Sequence, residues 1–207
     1  EKDNHRSTGE WLRPVPGIVY KYQNQIISNQ LRLPPANLDA LPFLAHNLLG
    51  LENYVPHPGL GIKSTGLITY RGCIARCAFC LNPQGNFIRE RSPVKVVDEI
   101  QTVVNNFGIN GFNIYDNLWA LNRSRSSAIC EELIRRRLDI VWDCWVGGDL
   151  VDVEFAKLMK AAGCVSVGFG AESGDDEVLS KSQRGFTVAQ HQAGIAALKS
   201  AGIKVTV

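Results

Sequence analysis

The stretch Leu67-Ile-Thr-Tyr-Arg-Gly-Cys-Ile-Ala-Arg-Cys-Ala-Phe-Cys80 runs from a strand-like segment directly into three closely spaced cysteines. Cys73, Cys77 and Cys80 have the spacing C-x3-C-x2-C. Three thiolates on one tight loop can bind three corners of a cubane iron–sulfur cluster, and the fourth iron then has no ligand from this loop. Such an open iron can chelate the amino and carboxylate groups of a substrate. The stretch therefore predicts a [4Fe–4S] cluster.

A structural zinc site is the competing interpretation of these cysteines. Zinc of that kind usually takes four ligands, as two C-x2-C pairs or as one such pair with two histidines. The second pair is missing here, and His46 and His57 lie at no recognisable spacing. The other cysteines occur singly in apolar segments, where thiols behave as small hydrophobic groups: Cys130, Cys144 and Cys164. This clustering favours a metal site in a reducing compartment over disulfides.

From Gly66 onward, strand-like runs alternate with segments of helical periodicity. We predict strands at 67–70, 112–116, 140–146, 164–171 and 203–207. We predict helices at 93–107, 123–138, 155–162 and 187–201. Strands that alternate with helices of this length indicate βαβ units and a parallel sheet, either doubly wound or a (β/α) barrel. In both architectures the chemistry lies at the carboxyl ends of the strands, where the cysteines follow the first one.

Residues 1–65 differ from the rest of the chain in their proline content. Seven prolines interrupt every candidate element there, which predicts a connecting arm with little regular structure. The chain starts at Glu1 rather than Met and stops at Val207 in a strand-like run, so we interpret both ends as cut. The expected organisation is an irregular arm (1–65), following an absent upstream domain, and an α/β core (66–207) that is incomplete at its carboxyl end.

The composition is that of an ordinary globular protein, with 45% hydrophobic residues, 20% charged residues and a net charge of +2. A charge so close to zero gives no indication of nucleic-acid binding or of attraction to an anionic membrane. No apolar run approaches the roughly 20 residues that a membrane helix needs. We therefore expect a cytoplasmic protein without a membrane span.

The cysteine spacing, with the aromatic Phe79 just before the third cysteine, resembles the motif of the radical S-adenosylmethionine (SAM) superfamily. Further stretches resemble the subfamily that usually carries an upstream cobalamin-binding domain: 69–73, 89–93, 97–100 and 168–174, with 16–18 and 38–42 in the arm. The resemblance implies a TIM-type (β/α) barrel, truncated here after its fifth strand. It also implies a [4Fe–4S] cluster and SAM as cofactors, and cobalamin as a possible third cofactor in the full-length protein.

The same resemblance implies a reaction. The reduced cluster cleaves SAM to a 5′-deoxyadenosyl radical, which abstracts hydrogen from a small-molecule substrate, and a flavodoxin or ferredoxin supplies the electron. Cobalamin-dependent methyl transfer and ring-forming chemistry are both open outcomes. The alternatives are a cobalamin-independent enzyme similar to methylthiotransferases, and a non-catalytic zinc or iron–sulfur module.

The fourth predicted strand has one apolar face and one small, polar face. Period-two alternation sends 165, 167, 169 and 171 towards the helices, and sends Ser166, Gly168, Gly170 and Glu172 towards a barrel interior. That second face would leave room for a ligand and end in a carboxylate. The resemblance assigns Glu172 to the ribose hydroxyls and adds Gly168, Gly170 and Ser173 to the SAM site. A glycine-relieved strand with a solvated glutamate is the alternative.

The resemblance implies three further contacts with SAM. Phe79 lies against the adenine, and Asp116 and Asn117 occupy the place of a paired acidic segment near the methionine group. Asn117 departs from that pattern, as does Gly147, which stands where many relatives have an arginine. We interpret Arg184 as solvated surface. We expect ordinary packing for at least two of the tryptophans near strand ends: Trp119, Trp142 and Trp145.

Overall fold

The computed structural model describes residues 11–82, 85–148 and 150–207. Its contacts divide the chain into two units, Glu1–Ala36 and Asn37–Val207. In the first unit, β1 (Val19–Tyr22) pairs antiparallel with β2 (Gln25–Ser28). The two turn residues between them have positive φ angles, as a tight hairpin requires. This part of the arm therefore contains one short hairpin that the sequence analysis did not predict.

The second unit begins with three short 3-10 helices and continues as a βα repeat. The 3-10 helices are Leu38–Ala40, His46–Leu48 and Leu51–Asn53. The strands are β3 (Ser64–Leu67), β4 (Tyr70–Arg71), β5 (Arg89–Glu90), β6 (Gly111–Ile114), β7 (Val141–Val146), β8 (Cys164–Phe169) and β9 (Lys204–Thr206). The helices are α1 (Pro93–Phe107), α2 (Arg123–Arg135), α3 (Val153–Ala161), α4 (Asp176–Lys181) and α5 (Val188–Ser200). No helix of the described residues is long and apolar enough to cross a membrane.

The order of the strands decides between the two predicted architectures. Five parallel strands lie in the order β3-β6-β7-β8-β9, which is also their order along the chain. A doubly wound sheet reverses its order at a switch point, whereas a barrel is wound in one direction throughout. The sheet has the winding of a partial (β/α) barrel of the TIM type, which confirms the predicted fold class.

One face of this sheet forms the hydrophobic core with the helices. Phe112 on β6, Trp142 on β7 and Phe169 on β8 are almost fully buried, as is Phe155 on α3. Burying an aromatic or aliphatic side chain of this size stabilises the fold by about 1.5–3 kcal/mol. Helix neighbours along the chain, such as α1 with α2 and α2 with α3, pack side by side over this face. The opposite face of the sheet lines the interior of the partial barrel.

Helix ends follow the sequence closely. Ser92 caps α1 by accepting a hydrogen bond from the Lys95 amide, Pro93 is the first helical residue, and Gly108 ends the helix at φ +63°. Helix α4 was not predicted, because its six residues are too few to show a helical period. Its N-cap Asp175, which accepts from two backbone amides, was the available signal.

The chain from Asn37 to the sheet is fastened to α1. The Ser92 amide donates to Asp39 Oδ1 at 2.9 Å, and the Leu44 amide donates to Glu99 Oε1 at 3.1 Å. Glu99 is buried and pairs with Arg91 at 2.5 Å. The first strand of the sheet, β3, also begins before residue 66. The predicted boundary at 65 stays a prediction, whereas the contacts of the chain divide at Ala36.

Candidate functional site

The cysteine loop, residues 72–82, leaves the carboxyl edge of the sheet through the short strand β4. Gly72 has φ +100°, and a Cβ there would lie 1.8 Å from the Phe87 carbonyl oxygen, so only glycine fits. The Cys73 amide donates to the Gly85 carbonyl at 3.2 Å, and Asn82 Nδ2 donates to the Cys73 carbonyl at 2.9 Å. These bonds fold the loop back on itself and hold its first cysteine in place.

The loop carries three free thiols, of which Cys73 and Cys77 are buried and Cys80 is exposed. Burial raises the pKa of the Cys73 thiol, and negative charge on Cys77 and Cys80 raises the pKa further. The guanidinium of Arg184 acts against this by favouring the thiolate. The neighbouring thiols and Arg184 therefore act in opposite directions on the pKa of Cys73.

The chemistry of these residues fits a cubane cluster. A cubane binds each cysteine to a different iron, and thiolates are its usual ligands. Cys73, Cys77 and Cys80 supply three such ligands from one loop, with a cation beside them.

Arg184 is the site residue that sequence reasoning missed. Its side chain is only 11% exposed, so the interpretation as solvated surface is wrong. Its Nη1 lies 3.7 Å from Cys77 Sγ, and its Nη2 donates to the Gly170 carbonyl at 2.9 Å and lies 3.7 Å from Glu172 Oε1. The guanidinium therefore links the cysteine loop to the end of β8. Arg184 lies three residues after α4, a helix too short to predict, so no periodic signal in the sequence indicated it.

The inner face of β8 carries the small residues Ser166 and Gly168, as the alternation predicted. Gly168 lies beneath the Trp145 ring, where a Cβ would come within 2.6 Å of the indole. A Cβ at Gly170 would lie 2.2 Å from Arg184 Nη2. The two glycines thus make room on this face, and in this structure the side chains of Trp145 and Arg184 lie over them.

Glu172 and Ser173 follow β8 at the carboxyl edge of the sheet. Glu172 has a positive φ of 64°, an uncommon conformation for a residue with a side chain, and its carboxylate is partly exposed beside Arg184. Ser173 Oγ accepts a hydrogen bond from the Asp175 amide at 3.1 Å. The turn therefore presents one open carboxylate close to the cysteine loop.

Asp116 is buried beneath the loop. Its carboxylate accepts hydrogen bonds from the Thr69 amide at 2.7 Å, the Tyr70 amide at 3.2 Å and the Thr69 hydroxyl. Burial raises the pKa of Asp116 to about 6 although these bonds oppose the shift. Arg125 completes the cluster by donating to the Thr69 carbonyl at 2.7 Å. Both oxygens of Asp116 thus support the strand that leads into the loop, and its contact with SAM stays a prediction.

Asn117 and Phe79 are the open members of the predicted SAM site. Asn117 is exposed, and its Nδ2 donates to the Gly72 carbonyl at 3.3 Å. Phe79 is 58% exposed on the loop itself. Of the tryptophans, Trp119 and Trp142 are buried in the core and Trp145 is half-exposed, so the expectation that at least two of the three pack is confirmed.

The comparisons with known proteins agree with this geometry. The model of the radical SAM superfamily matches residues 67–207. The anaerobic magnesium-protoporphyrin IX monomethyl ester cyclase of Cereibacter sphaeroides is 30% identical over 98% of this chain and 33% of the cyclase. The chain spans less than half of the length of the curated relatives that it matches.

Two solved structures share the fold. The cobalamin-dependent SAM radical enzyme OxsB, with aqua-cobalamin and SAM bound, superposes with a TM-score of 0.74 at 23% identity, over 92% of this chain and 29% of OxsB. The radical SAM methyltransferase TsrM from Kitasatospora setae, with cobalamin and a [4Fe–4S] cluster bound, gives a TM-score of 0.63 at 25% identity, over 68% of this chain and 29% of TsrM. With its three-cysteine loop at the carboxyl edge of a partial barrel, the chain belongs to the radical SAM superfamily of enzymes.

Proposed function

We propose that the protein binds a [4Fe–4S] cluster through Cys73, Cys77 and Cys80 and uses it to cleave SAM for radical chemistry on a small molecule. The cluster, when bound, supplies an electron to the sulfonium of SAM, and the products are methionine and a 5′-deoxyadenosyl radical that abstracts hydrogen. The observation that carries the proposal is the loop itself, with three thiols and the half-buried Arg184 at the carboxyl edge of the sheet.

The residues of the chain have separate tasks in this proposal. The three thiolates hold three irons and leave the fourth without a cysteine from the loop. Arg184 places a positive charge beside Cys77, where it would offset the negative charge of the thiolate ligands of the cluster. The Thr69–Asp116–Arg125 cluster fixes the strand that leads into the loop.

SAM would bind beside the loop, against groups that the structure leaves open. We propose Glu172 as the acceptor for the ribose hydroxyls and Asn117 as a hydrogen-bonding group for the methionine moiety. Phe79 offers its exposed ring to the adenine. Gly168, Gly170 and Ser173 form the adjoining wall, where movement of Trp145 or Arg184 would open space for the nucleoside.

For the whole protein we propose a cobalamin-dependent reaction, either methyl transfer or ring formation. The relative solved with both cobalamin and a cluster is a methyltransferase, and the curated relative is a cyclase, which supports both outcomes. A small, low-potential electron carrier such as a flavodoxin or ferredoxin would reduce the cluster. The cytoplasm, whose thiols are kept reduced, suits unpaired cysteines of this kind.

The test is anaerobic reconstitution of the full-length protein with iron and sulfide, followed by reduction with dithionite in the presence of SAM. We expect 5′-deoxyadenosine to form, and Cys77→Ala to abolish its formation. The matched control is Cys130→Ala, which removes a buried thiol outside the loop and leaves the reaction intact. A protein that loads only zinc, or that loads a cluster and leaves SAM uncleaved, would overturn the proposal in favour of a structural metal module.

A further inference from the structure

A row of polar residues crosses the inner face of the sheet, away from the cysteine loop. Asn113 on β6, Asp143 on β7 and Ser166 on β8 are register partners on adjacent parallel strands. Ser64 on β3 extends the row, because its hydroxyl donates to Asn113 Oδ1 at 2.5 Å. Polar side chains in this position have no helix to pack against, so they form the floor of the interior.

Asp143 is the one charged member of this row. Asn113 Nδ2 donates to both of its carboxylate oxygens, at 3.1 and 3.0 Å, and the other oxygen lone pairs receive no further bond from the described residues. Within the part of the chain that the structure covers, Asp143 makes no ion pair. His57 lines the same cavity from the neighbouring loop.

The cavity above Asp143 has a volume of about 240 Å³ and two aromatic walls. Tyr115 lies over Gly66 on one side, where a Cβ would be 3.0 Å from its ring. Trp145 lies over Gly168 on the other side. Both aromatic side chains are more than half exposed, at 63% and 51%. Because glycines lie beneath both rings, the two rings approach the sheet closely on either side of the Asp143 carboxylate.

One neutral donor compensates only part of the free energy that a half-buried carboxylate loses when water is removed from it. A cationic or N–H partner would compensate the rest. Exposed Tyr and Trp faces bind planar groups and cations. A mostly apolar cavity with one charged group is also the usual construction of a small-molecule site. Floor and walls therefore select for the same kind of ligand.

We infer that this cavity, the Asp143 slot, binds the substrate through a protonated amine or an N–H group set on a planar ring system. Asp143 accepts the hydrogen bond from nitrogen, and Tyr115 and Trp145 contact the ring. Asn113 holds the Asp143 carboxylate in place and is itself held by Ser64. Naming this ligand as the substrate rests on the proposed function, whereas the selectivity of the slot does not.

Equilibrium binding to the full-length, cluster-reconstituted protein tests the slot without any radical chemistry. The probes are tryptamine, which is planar and cationic, and indole-3-propionate, which is planar and anionic. We expect tryptamine to bind at least about tenfold more tightly. Asp143→Asn, which has nearly the same shape, should reduce that ratio to about threefold or less. Asp139→Asn removes a carboxylate just outside β7 and should leave the ratio unchanged.

A second variant keeps the test valid if Asp143→Asn melts early in thermal denaturation. Trp145→Leu should weaken both probes by a similar factor, because it removes a wall and leaves the charge. Equal ratios in the wild type and Asp143→Asn would overturn the inference, as would absence of binding of either probe at millimolar concentration. Probe selectivity in a protein that leaves SAM uncleaved would refute the proposed function and retain the slot.

Discussion

The cysteine loop and the polar cluster beneath it differ in how fully their side chains are bonded to neighbouring groups. In the loop, three thiols are free, two of them buried, and the Phe79 ring is exposed. In the cluster, Thr69, Asp116 and Arg125 are buried and bonded to one another and to the backbone. The buried polar groups therefore support the position of the loop, whereas the groups available for chemistry lie on the loop itself.

The two regions are joined by short connections that a single substitution can break. β4 leads from the polar cluster into the loop, and Gly72 makes the turn between them. On the far side, the Ala78 amide donates to the Ser182 carbonyl at 2.9 Å, and Arg184 reaches Cys77. The loop is thus held from the sheet at one end and from the segment after α4 at the other.

Gly72→Ala should have the largest effect on the loop. The added methyl group would overlap the Phe87 carbonyl oxygen, so the turn into Cys73 must change its path. We expect iron and sulfide bound after reconstitution to fall by roughly tenfold. Gly108→Ala is the matched control, since Gly108 also has positive φ but open space around its Cβ position. Normal iron loading in Gly72→Ala would show that the loop tolerates another turn.

Asp116→Asn measures the contribution of the polar cluster to stability, because the unfolding free energy should then depend less on pH. The pKa of Asp116 is about 6 in the folded protein and 3.8 ordinarily, so the folded state holds this proton more tightly. The contribution of Asp116 to stability is therefore full below about pH 4 and is lost as the pH rises to about 6. We expect the unfolding free energy of the wild type, relative to Asp116→Asn, to decrease by about 3 kcal/mol over this window.

Chemical denaturation of both proteins between pH 4 and 7 measures this difference. Asp139→Asn, outside the cluster, provides the baseline for the loss of an ordinary carboxylate. A difference that increases with pH would contradict the account, because it would mean that the ionised form of Asp116 is the one that folding favours.

Arg184→Met tests the connection from the other end. Removing a cation close to Cys77 makes a reduced cluster harder to form, so its reduction potential should fall by on the order of 50–100 mV. Redox titration monitored by electron paramagnetic resonance gives the potential. Lys181→Met, which removes an exposed charge that pairs with Glu177, should leave the potential unchanged. An unchanged potential in Arg184→Met would place its charge outside the reach of the cluster.

Asp175→Ala should have the smallest effect. Its side chain accepts from the Glu177 and Val178 amides and begins α4, the helix just before Arg184. Loss of this cap should lower the unfolding free energy by about 1 kcal/mol and leave most of the iron loading. Asp176 also bonds a backbone amide, that of Val188, so Asp176→Ala shows whether the effect belongs to the cap alone.

Much of this fold follows from local patterns in the sequence. Helical periodicity located α1, and Ser92, Pro93 and Gly108 fixed its ends. Period-two alternation predicted the inner face of β8, with Ser166 and Gly168 on the cavity side. The winding of the sheet could not be predicted from the connections, because connections of similar length occur in both architectures. It follows only from which strands pair.

The site was predictable where one segment carries the chemistry and not where distant segments meet. The cysteine spacing is local and identified the loop. The burial of Asp116 depends on Thr69 and Arg125, which lie 47 and 9 positions away, and Arg184 reaches Cys77 across 107 positions. Contacts between residues so far apart in the sequence cannot be predicted from local spacing. The role of Asp116 and the position of Arg184 are therefore known only from the structure.

Binding of SAM to the cluster can be measured from the electron paramagnetic resonance spectrum of the reduced, reconstituted full-length protein with and without SAM. A loop that supplies only three ligands leaves one iron to which SAM can bind. We predict a reduced-cluster signal whose g values shift when SAM is added and which is lost in Cys77→Ala. A signal identical with and without SAM, or one retained in Cys77→Ala, would contradict the account.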